Sequence, residues 1–313
     1  MNEDNSSITD EDAEAAQAAQ RPDRDADLSL RVFSGVRAQA EGPVHPVQLK
    51  AGDRFEFRCH PGIACWNACC HGADVTLTPY DILRLSRRLG LRPAEFLERH
   101  TVPALHDTTD MPVAKLKMSG EDGKGACAFM KPEGCSVYAD RPITCRYYPL
   151  GLVSHKLKDA PKKEDFHFLV KEAHCRGHDE TKSQTVDDFR TEQGVAPYEE
   201  VNRGWVDILM KLASWKSIGG PMGRAPSDQT RQMFFMVSTD VDRFRRFVLE
   251  SKFLKTYDIP EAAVERIKVD DVTLLQLGFD WLKAIMFNEP TLTMRPEVLR
   301  AAIAKARAGT GAT

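Results

Sequence analysis

Cysteines are the residues of this chain best suited to chemistry, and most of them are clustered. Seven of the eight fall in one stretch between residues 59 and 145. They form two groups, which are Cys59, Cys65, Cys69 and Cys70, and then Cys127, Cys135 and Cys145. Thiolates are soft ligands that bind zinc, copper(I) and iron–sulfur clusters. Grouping of this density predicts a metal site, a cluster site or a set of disulfides.

The rest of the sequence favours a metal over disulfides. The first residues are acidic and polar, without the basic and apolar regions of a secretory signal. No apolar run is long enough to cross a bilayer. We therefore expect a cytoplasmic protein without membrane association, in which thiols stay reduced and clustered cysteines serve metals or catalysis. Eight cysteines in 313 residues are also too few for a disulfide scaffold.

The number of clustered thiols exceeds the needs of one four-ligand site. The spacings C-x5-C-x3-C-C and C-x7-C-x9-C match neither a zinc finger, nor a ribbon, nor a ferredoxin. Seven thiolates are enough for two sites, or for one cluster and a free redox thiol. Cys175 is a candidate eighth thiolate in the run H-C-x2-H. Histidines beside the cysteines are candidate nitrogen ligands, namely His60, His71, His174 and His178.

Two arginines and a tyrosine beside the second cysteine group are candidates for cofactor binding. Arg141 and Arg146 have two interpretations. They bind an anionic substrate or a cosubstrate carboxylate in bidentate fashion, or they donate hydrogen bonds to loop carbonyls and offset the negative thiolates. Tyr138 is suited to covering a cluster from water, with ordinary packing as the alternative.

Short elements must position these residues. Thr78 and Asp81 predict a capping box, with Pro79 in the first helical position and Gly90 ending the helix. A second short helix is predicted over residues 93–99.

Strands are predicted around Phe55 and over residues 113–118, 126–130, 150–155 and 166–170, from short apolar or alternating runs. The strand over residues 126–130 is expected to pair with the one before it and to carry Cys127. Together they predict a small antiparallel sheet with cysteine-bearing loops at one end.

Beyond residue 185 the sequence changes to helical periodicity and contains no cysteine. Apolar stripes begin at Val201 and Val241, and a third runs from Leu274 to Ile285. The fold class predicted is therefore α+β. We expect a disordered acidic tail at residues 1–30, a cysteine-cluster metal-binding domain at 31–185 and a helical region at 186–313, which is a candidate surface for a protein partner. The net charge of −3 argues against nucleic-acid binding.

The segment C-A-F-M-K-P-E-G-C-S-V-Y-A-D-R-P-I-T-C-R-Y-Y-P, together with the first cysteine group, closely resembles the CxxCxxCC family, also called the YkgJ-type cysteine cluster family. The resemblance covers roughly residues 55–180. The first group departs from the family name, because its spacings are five and three instead of two and two. The matching residues are Cys59, Cys65, Cys69, Cys70, Cys127, Gly134, Cys135, Tyr138, Arg141, Pro142, Cys145, Arg146 and Pro149.

The resemblance implies a zinc site or an iron–sulfur cluster, and flagellin lysine N-methylases carry a similar domain. We expect an iron–sulfur protein, with a cluster of the 4Fe-4S type, that has a redox or protein-modifying role. One alternative is a zinc-stabilised interaction module without catalysis. Another is an S-adenosylmethionine-dependent lysine N-methyltransferase, although the sequence has no nucleotide-binding glycine loop.

Overall fold

A computed structural model of the chain describes residues 44–155, 164–217, 219 and 225–309, and it confirms the α+β class. The predicted tail at residues 1–30 lies outside this described part. The strands are β1 Val44–Leu49, β2 Arg54–Glu56, β3 Thr101–Leu105, β4 Pro112–Leu116, β5 Met130–Lys131, β6 Gly134–Cys135, β7 Leu150–His155, β8 Glu164–Val170 and β9 Ser183–Thr185. The helices are α1 Pro79–Leu89, α2 Pro93–His100, α3 Ile143–Tyr147, α4 Val186–Gln193, α5 Ala196–Ser217, α6 Asp228–Thr239, α7 Val241–Glu250, α8 Phe253–Thr256, α9 Glu261–Val269, α10 Asp271–Phe287 and α11 Pro296–Gly309.

The described chain forms two compact units that alternate along the sequence. Of the described residues, the first unit contains 44–57, 149–155 and 164–187, and the second contains 58–148, 188–217, 219 and 225–309. The seven clustered cysteines belong to the second unit, and Cys175 belongs to the first. The division into a cysteine-cluster domain and a helical region at residue 185 stays a prediction.

The first unit is built on small antiparallel sheets. Strand β8 lies between β1 and β7, and β2 pairs with β9. Leu49, Leu150 and Phe166 are buried in this unit. The strands predicted over residues 150–155 and 166–170 are confirmed as β7 and β8.

The second unit contains two hydrophobic clusters. The larger one, which we call the helical core, is formed mainly by α5, α6, α7 and α10, and it buries large aromatic side chains. The smaller one lies among α1, α2 and β4, and Cys127 and Cys135 pack against it. Two cysteines thus lie against a hydrophobic cluster.

Helix α1 shows why the local signals of the sequence hold. The Thr78 hydroxyl accepts from the Asp81 N–H at 3.2 Å, and the Asp81 carboxylate accepts from the Thr78 N–H at 2.9 Å. Gly90 ends the helix with φ of 64°, a left-handed conformation that favours glycine. Asp240 and Asp270 cap α7 and α10 by side-chain acceptance alone, Asp240 from the Arg243 N–H and Asp270 from those of Val272 and Thr273.

Other expectations are corrected. Strand β4 pairs with β3, a strand that was not predicted. Residues 126–130 form no continuous strand. Cys127 makes an isolated bridge to Met118 and Ala126 makes one to His71, while Met130 begins β5, which pairs with β6. Ile285, which the third stripe placed in the core, is 39% exposed. Among the described residues no helix combines the length and the apolar character needed to span a membrane.

Candidate metal centre

The first cysteine group lies on a series of tight turns. The Trp66 N–H donates to the Ile63 carbonyl at 2.9 Å, and the Ala68 N–H donates to the Cys65 carbonyl at 2.9 Å. A turn of 3-10 helix, Ala68–Cys70, follows immediately. Asn67 enters this turn with φ of 65°, which asparagine tolerates better than most residues. Such turns relieve the difficulty of adjacent cysteines, whose side chains would point to opposite faces of a strand.

Main-chain hydrogen bonds join the first cysteine group to the second. The Cys127 N–H donates to the Cys70 carbonyl at 2.8 Å, and the Gly72 N–H donates to the Gly125 carbonyl at 3.0 Å. The Asn67 side chain adds a bond of 2.7 Å to the Lys131 carbonyl. Segments that lie more than fifty residues apart in sequence are therefore in direct contact, so the two groups form one site.

The hairpin of β5 and β6 places Cys135 opposite Met130. Gly134 in this hairpin has φ of 125°, which only glycine adopts without strain. A Cβ atom at this position would lie 2.9 Å from Cζ2 of Trp66, whose Nε1 is bonded to the Pro132 carbonyl at 3.2 Å. The glycine thus allows the hairpin to pack closely on the first cysteine segment.

Cys145 lies on the short helix α3, which is held by a buried carboxylate. Asp81 Oδ1 accepts from the Ile143 N–H at 2.9 Å, at the first residue of α3, while Oδ2 accepts from Thr78 in α1. Asp81 is fully buried, and desolvation raises its pKa to about 6 against these hydrogen bonds, which lower it. One side chain therefore fixes the start of both helices.

The thiols of three segments lie close enough to change one another's protonation. A hydrogen bond from Cys69, then burial and the neighbouring thiols, raise the pKa of Cys70 far above its ordinary value. Burial is the largest cause that raises the pKa of Cys127 and of Cys135. The Cys145 side chain is exposed, but protein atoms crowd around it, and desolvation raises its pKa to about 12, with further contributions from Asp81 and from the neighbouring thiols.

Residues 58–184 match the model of a protein family named CxxCxxCC, whose description is "putative zinc- or iron-chelating domain". Over this segment the chain is similar to the CxxCxxCC family. The match spans less than half of the chain and includes all eight cysteines. No curated protein and no solved structure matched the chain. The family supports metal binding by the CxxCxxCC domain, with zinc or iron as the metal.

The donor set of the domain fits such a metal. Five thiols from three segments influence one another, namely Cys69, Cys70, Cys127, Cys135 and Cys145. A thiophilic cation would stabilise the thiolates that this crowding disfavours. The side chains of the described residues nevertheless include no group of three histidines, cysteines, aspartates or glutamates that could hold a metal ion.

The remaining candidate ligands are less closely tied to this group. Cys59 is exposed and Cys65 half-buried, both on the segment that leads into the 3-10 turn. Cys175 lies in the first unit. Nδ1 of His60 is bonded to the Pro61 carbonyl, and Nδ1 of His71 to the Asn67 carbonyl. The full set of eight cysteine ligands stays a prediction.

The Arg146 guanidinium donates hydrogen bonds to other groups of the protein. It donates to the carbonyls of Arg141 at 3.1 Å, Gln193 at 2.7 Å and Ala139 at 2.5 Å, and to the Tyr198 hydroxyl at 3.1 Å. These are the loop carbonyls of the structural interpretation given above. The buried guanidinium fastens the turn before Cys145 to the C-terminal end of α4.

Arg141 and Tyr138 form a pair at the edge of the site. The Arg141 guanidinium lies 3.7 Å from the centre of the Tyr138 ring, and it donates to the Gln193 side chain. Tyr138 is 58% exposed. The positive charge of Arg141 lowers the pKa of Cys135, although burial outweighs it. Binding of a cofactor by these residues stays a prediction.

Sequence reasoning missed the buried polar residues that support the cysteines. Asp81 was recognised only as a cap, and its bond to Ile143 was not predicted. Tyr147, two residues after Cys145, donates to the Glu199 carboxylate, which also pairs with Arg190 at 2.5 Å. In the sequence, buried polar contacts of this kind are indicated only by an aspartate, glutamate or arginine on an otherwise apolar face of a helix.

Proposed function

We propose that the CxxCxxCC domain holds an iron–sulfur cluster of the 4Fe-4S type and that the protein has a redox or protein-modifying role in the cytoplasm. The observation that supports this proposal is that five thiols from three segments lie close enough to affect one another's pKa values. Four thiolates suffice for such a cluster. The fifth, from the adjacent pair Cys69 and Cys70, is then available as a redox-active thiol.

A bound cluster would supply one-electron transfer, and the residues of this chain prepare the place for it. The cysteines provide soft ligands from loops that main-chain bonds already hold together. Arg146 and Asp81 fix the turn and the helix around Cys145. Arg141 brings a positive charge near Cys135, which offsets part of the negative charge of several thiolates.

Anaerobic purification followed by visible spectroscopy and measurement of iron, sulfide and zinc tests the proposal. We expect broad visible absorbance with iron and sulfide present in similar amounts. Cys69→Ala and Cys145→Ala should abolish both signals. Thr144→Ala, at an exposed position beside Cys145, is the matched control and should keep them. A colourless protein loaded with zinc would contradict the cluster.

A zinc-stabilised module is the second candidate, and the shortness of the elements around the cysteines favours it. Strands β5 and β6 have two residues each, and α3 has five. Elements of this length are not stable alone in water. Zinc would then supply folding energy to the loops, and zinc content without colour would identify this role.

A further inference from the structure

Helix α7 lines an open cleft on the second unit. The residues that form this cleft are far in sequence from the cysteines and belong to other elements. The volume of the cleft is about 460 Å³. The residues that line it are Met236, Arg243, Arg246, Phe247, Glu250 and Ser251. It combines guanidinium groups with apolar side chains, a mixture that is typical of protein-binding surfaces.

The arginines of α7 differ in what they contact. Arg245 donates to the Ile267 carbonyl at 3.1 Å and to the carboxylates of Asp242 and Asp271, so it serves the fold. The side chains of Arg243 and Arg246 are exposed, and within the described part of the chain neither forms an ion pair or a side-chain hydrogen bond. Both guanidiniums are therefore available to an incoming anion.

The apolar part of the cleft is rigid. Met236 is buried, and Phe247 packs against the helical core. The Phe247 ring lies 5.0 Å from the Trp281 ring and 5.9 Å from the Phe253 ring, measured between centroids. An aromatic side chain held in place by its neighbours loses little conformational entropy on binding, which is why such residues dominate interface energies.

We propose that this cleft binds an acidic segment of a partner protein. Carboxylates of the segment pair with Arg243 and Arg246, in the bidentate geometry that guanidinium favours. An apolar side chain of the same segment packs on Met236 and Phe247.

The cleft suits a protein segment better than a nucleic acid. Glu250 also lines it, so two positive charges stand beside one negative charge, which suits one or two carboxylates better than a continuous row of phosphates. Nucleic-acid surfaces carry long basic stripes, whereas this one offers two arginines and an apolar floor. The proposal uses no cysteine, so it stands or falls independently of the metal site.

Binding of a labelled peptide to the full-length protein tests this assignment. The probe is a fluorescein-labelled peptide of about 12 residues in which glutamate and leucine alternate, followed by fluorescence anisotropy. The double variant Arg243→Ala/Arg246→Ala should weaken binding about tenfold or more. Arg203→Ala removes another exposed arginine, from α5, and should change the affinity less than about twofold.

Further outcomes support or overturn the proposal. A peptide with glutamine in place of glutamate should bind at least about tenfold more weakly, because its amides cannot pair with guanidinium. Equal binding of the two peptides, or equal loss in the double variant and in Arg203→Ala, would overturn the proposal. Tighter binding of a single-stranded oligonucleotide than of the acidic peptide, lost in the double variant, would assign the cleft to nucleic acid instead. Circular dichroism of each variant confirms that the helices are intact.

Discussion

The helical core and the cysteine-bearing loops of the second unit are stabilised in different ways. The core is built on long helices, 22 residues in α5 and 17 in α10, that bury large aromatic side chains. The loops consist of turns and of elements two to five residues long, joined by directional bonds from Arg146, Asp81 and the main chain. We therefore expect apolar burial to be sufficient for one region and a bound metal to complete the other.

Removal of the metal should produce the largest difference in stability between the two regions. A chelator is expected to unfold the cysteine loops locally, because structural metal sites contribute on the order of 10 kcal/mol. Hydrogen exchange followed by mass spectrometry should show loss of protection in residues 58–72 and 125–148. Helices α5 and α10 serve as the internal control and should stay protected. Equal loss of protection in both regions would show that they fold as one unit.

Arg146→Ala should have the next largest effect. Three carbonyls and a tyrosine hydroxyl lose a donor in a buried place, so we expect a loss of about 3 kcal/mol in the free energy of unfolding. Urea denaturation measures it. Arg87→Ala is the matched control, since the Arg87 side chain that pairs with Asp271 at 2.5 Å is exposed and should contribute less than about 1 kcal/mol. Similar losses in the two variants would mean that the network around Arg146 is dispensable.

Asp81 provides a test by pH. Its folded pKa of about 6 lies above the unfolded value, so the folded state holds the proton more tightly and stability falls as pH rises. This contribution is complete below the unfolded pKa of 3.8 and is lost by about pH 6. Asp81→Asn removes the titration. The wild type should lose about 2 kcal/mol relative to the variant between pH 4 and 7, measured by urea denaturation.

The change with pH in the stability difference between the wild type and Asp81→Asn distinguishes the possible results. A stability difference that does not change with pH would mean that the Asp81 carboxylate is not desolvated in the folded protein. A difference of the opposite sign would mean that its hydrogen bonds to Thr78 and Ile143 outweigh burial.

The smallest expected effect comes from a pair of glycine substitutions, one in each region. Gly134→Ala places a Cβ 2.9 Å from Trp66 at φ of 125°, and Gly278→Ala places one 2.6 Å from Val237 in the helical core. We expect Gly134→Ala to cost about 1 kcal/mol and to lower the metal content. Gly278→Ala should lower stability by overpacking and leave the metal content unchanged. Metal analysis and thermal unfolding distinguish the two patterns.

Local signals predicted the helices well, while pairing over long distances was harder to predict. The predicted cap Thr78 marks a true helix start, because capping involves residues three or four apart. Strand β3 was missed because Pro103 lacks an N–H and weakens any strand pattern. The proline is tolerated because β3 has a strand partner only on its β4 side among the described residues.

The candidate site was predictable in composition but not in detail. The two cysteine groups were recognised from the sequence as candidate ligands, and the bond between Cys127 and Cys70 joins their segments directly. Which thiols lie together depends on turns and on Asp81, whose bond to Ile143 spans 62 residues. Spacing carries no signal for a contact of that length. Cys175, equally plausible from its neighbours, lies in the first unit.

The bond from the Cys127 N–H to the Cys70 carbonyl has a consequence for how this site can change. It is made by the main chain, so replacing either side chain leaves both of its atoms in place. Scaffold and ligands can therefore be altered separately, in evolution or by engineering. Imidazole or carboxylate groups introduced at these positions would be presented from the same backbone, and the metal preference could be shifted from soft to harder ions without rebuilding the loops.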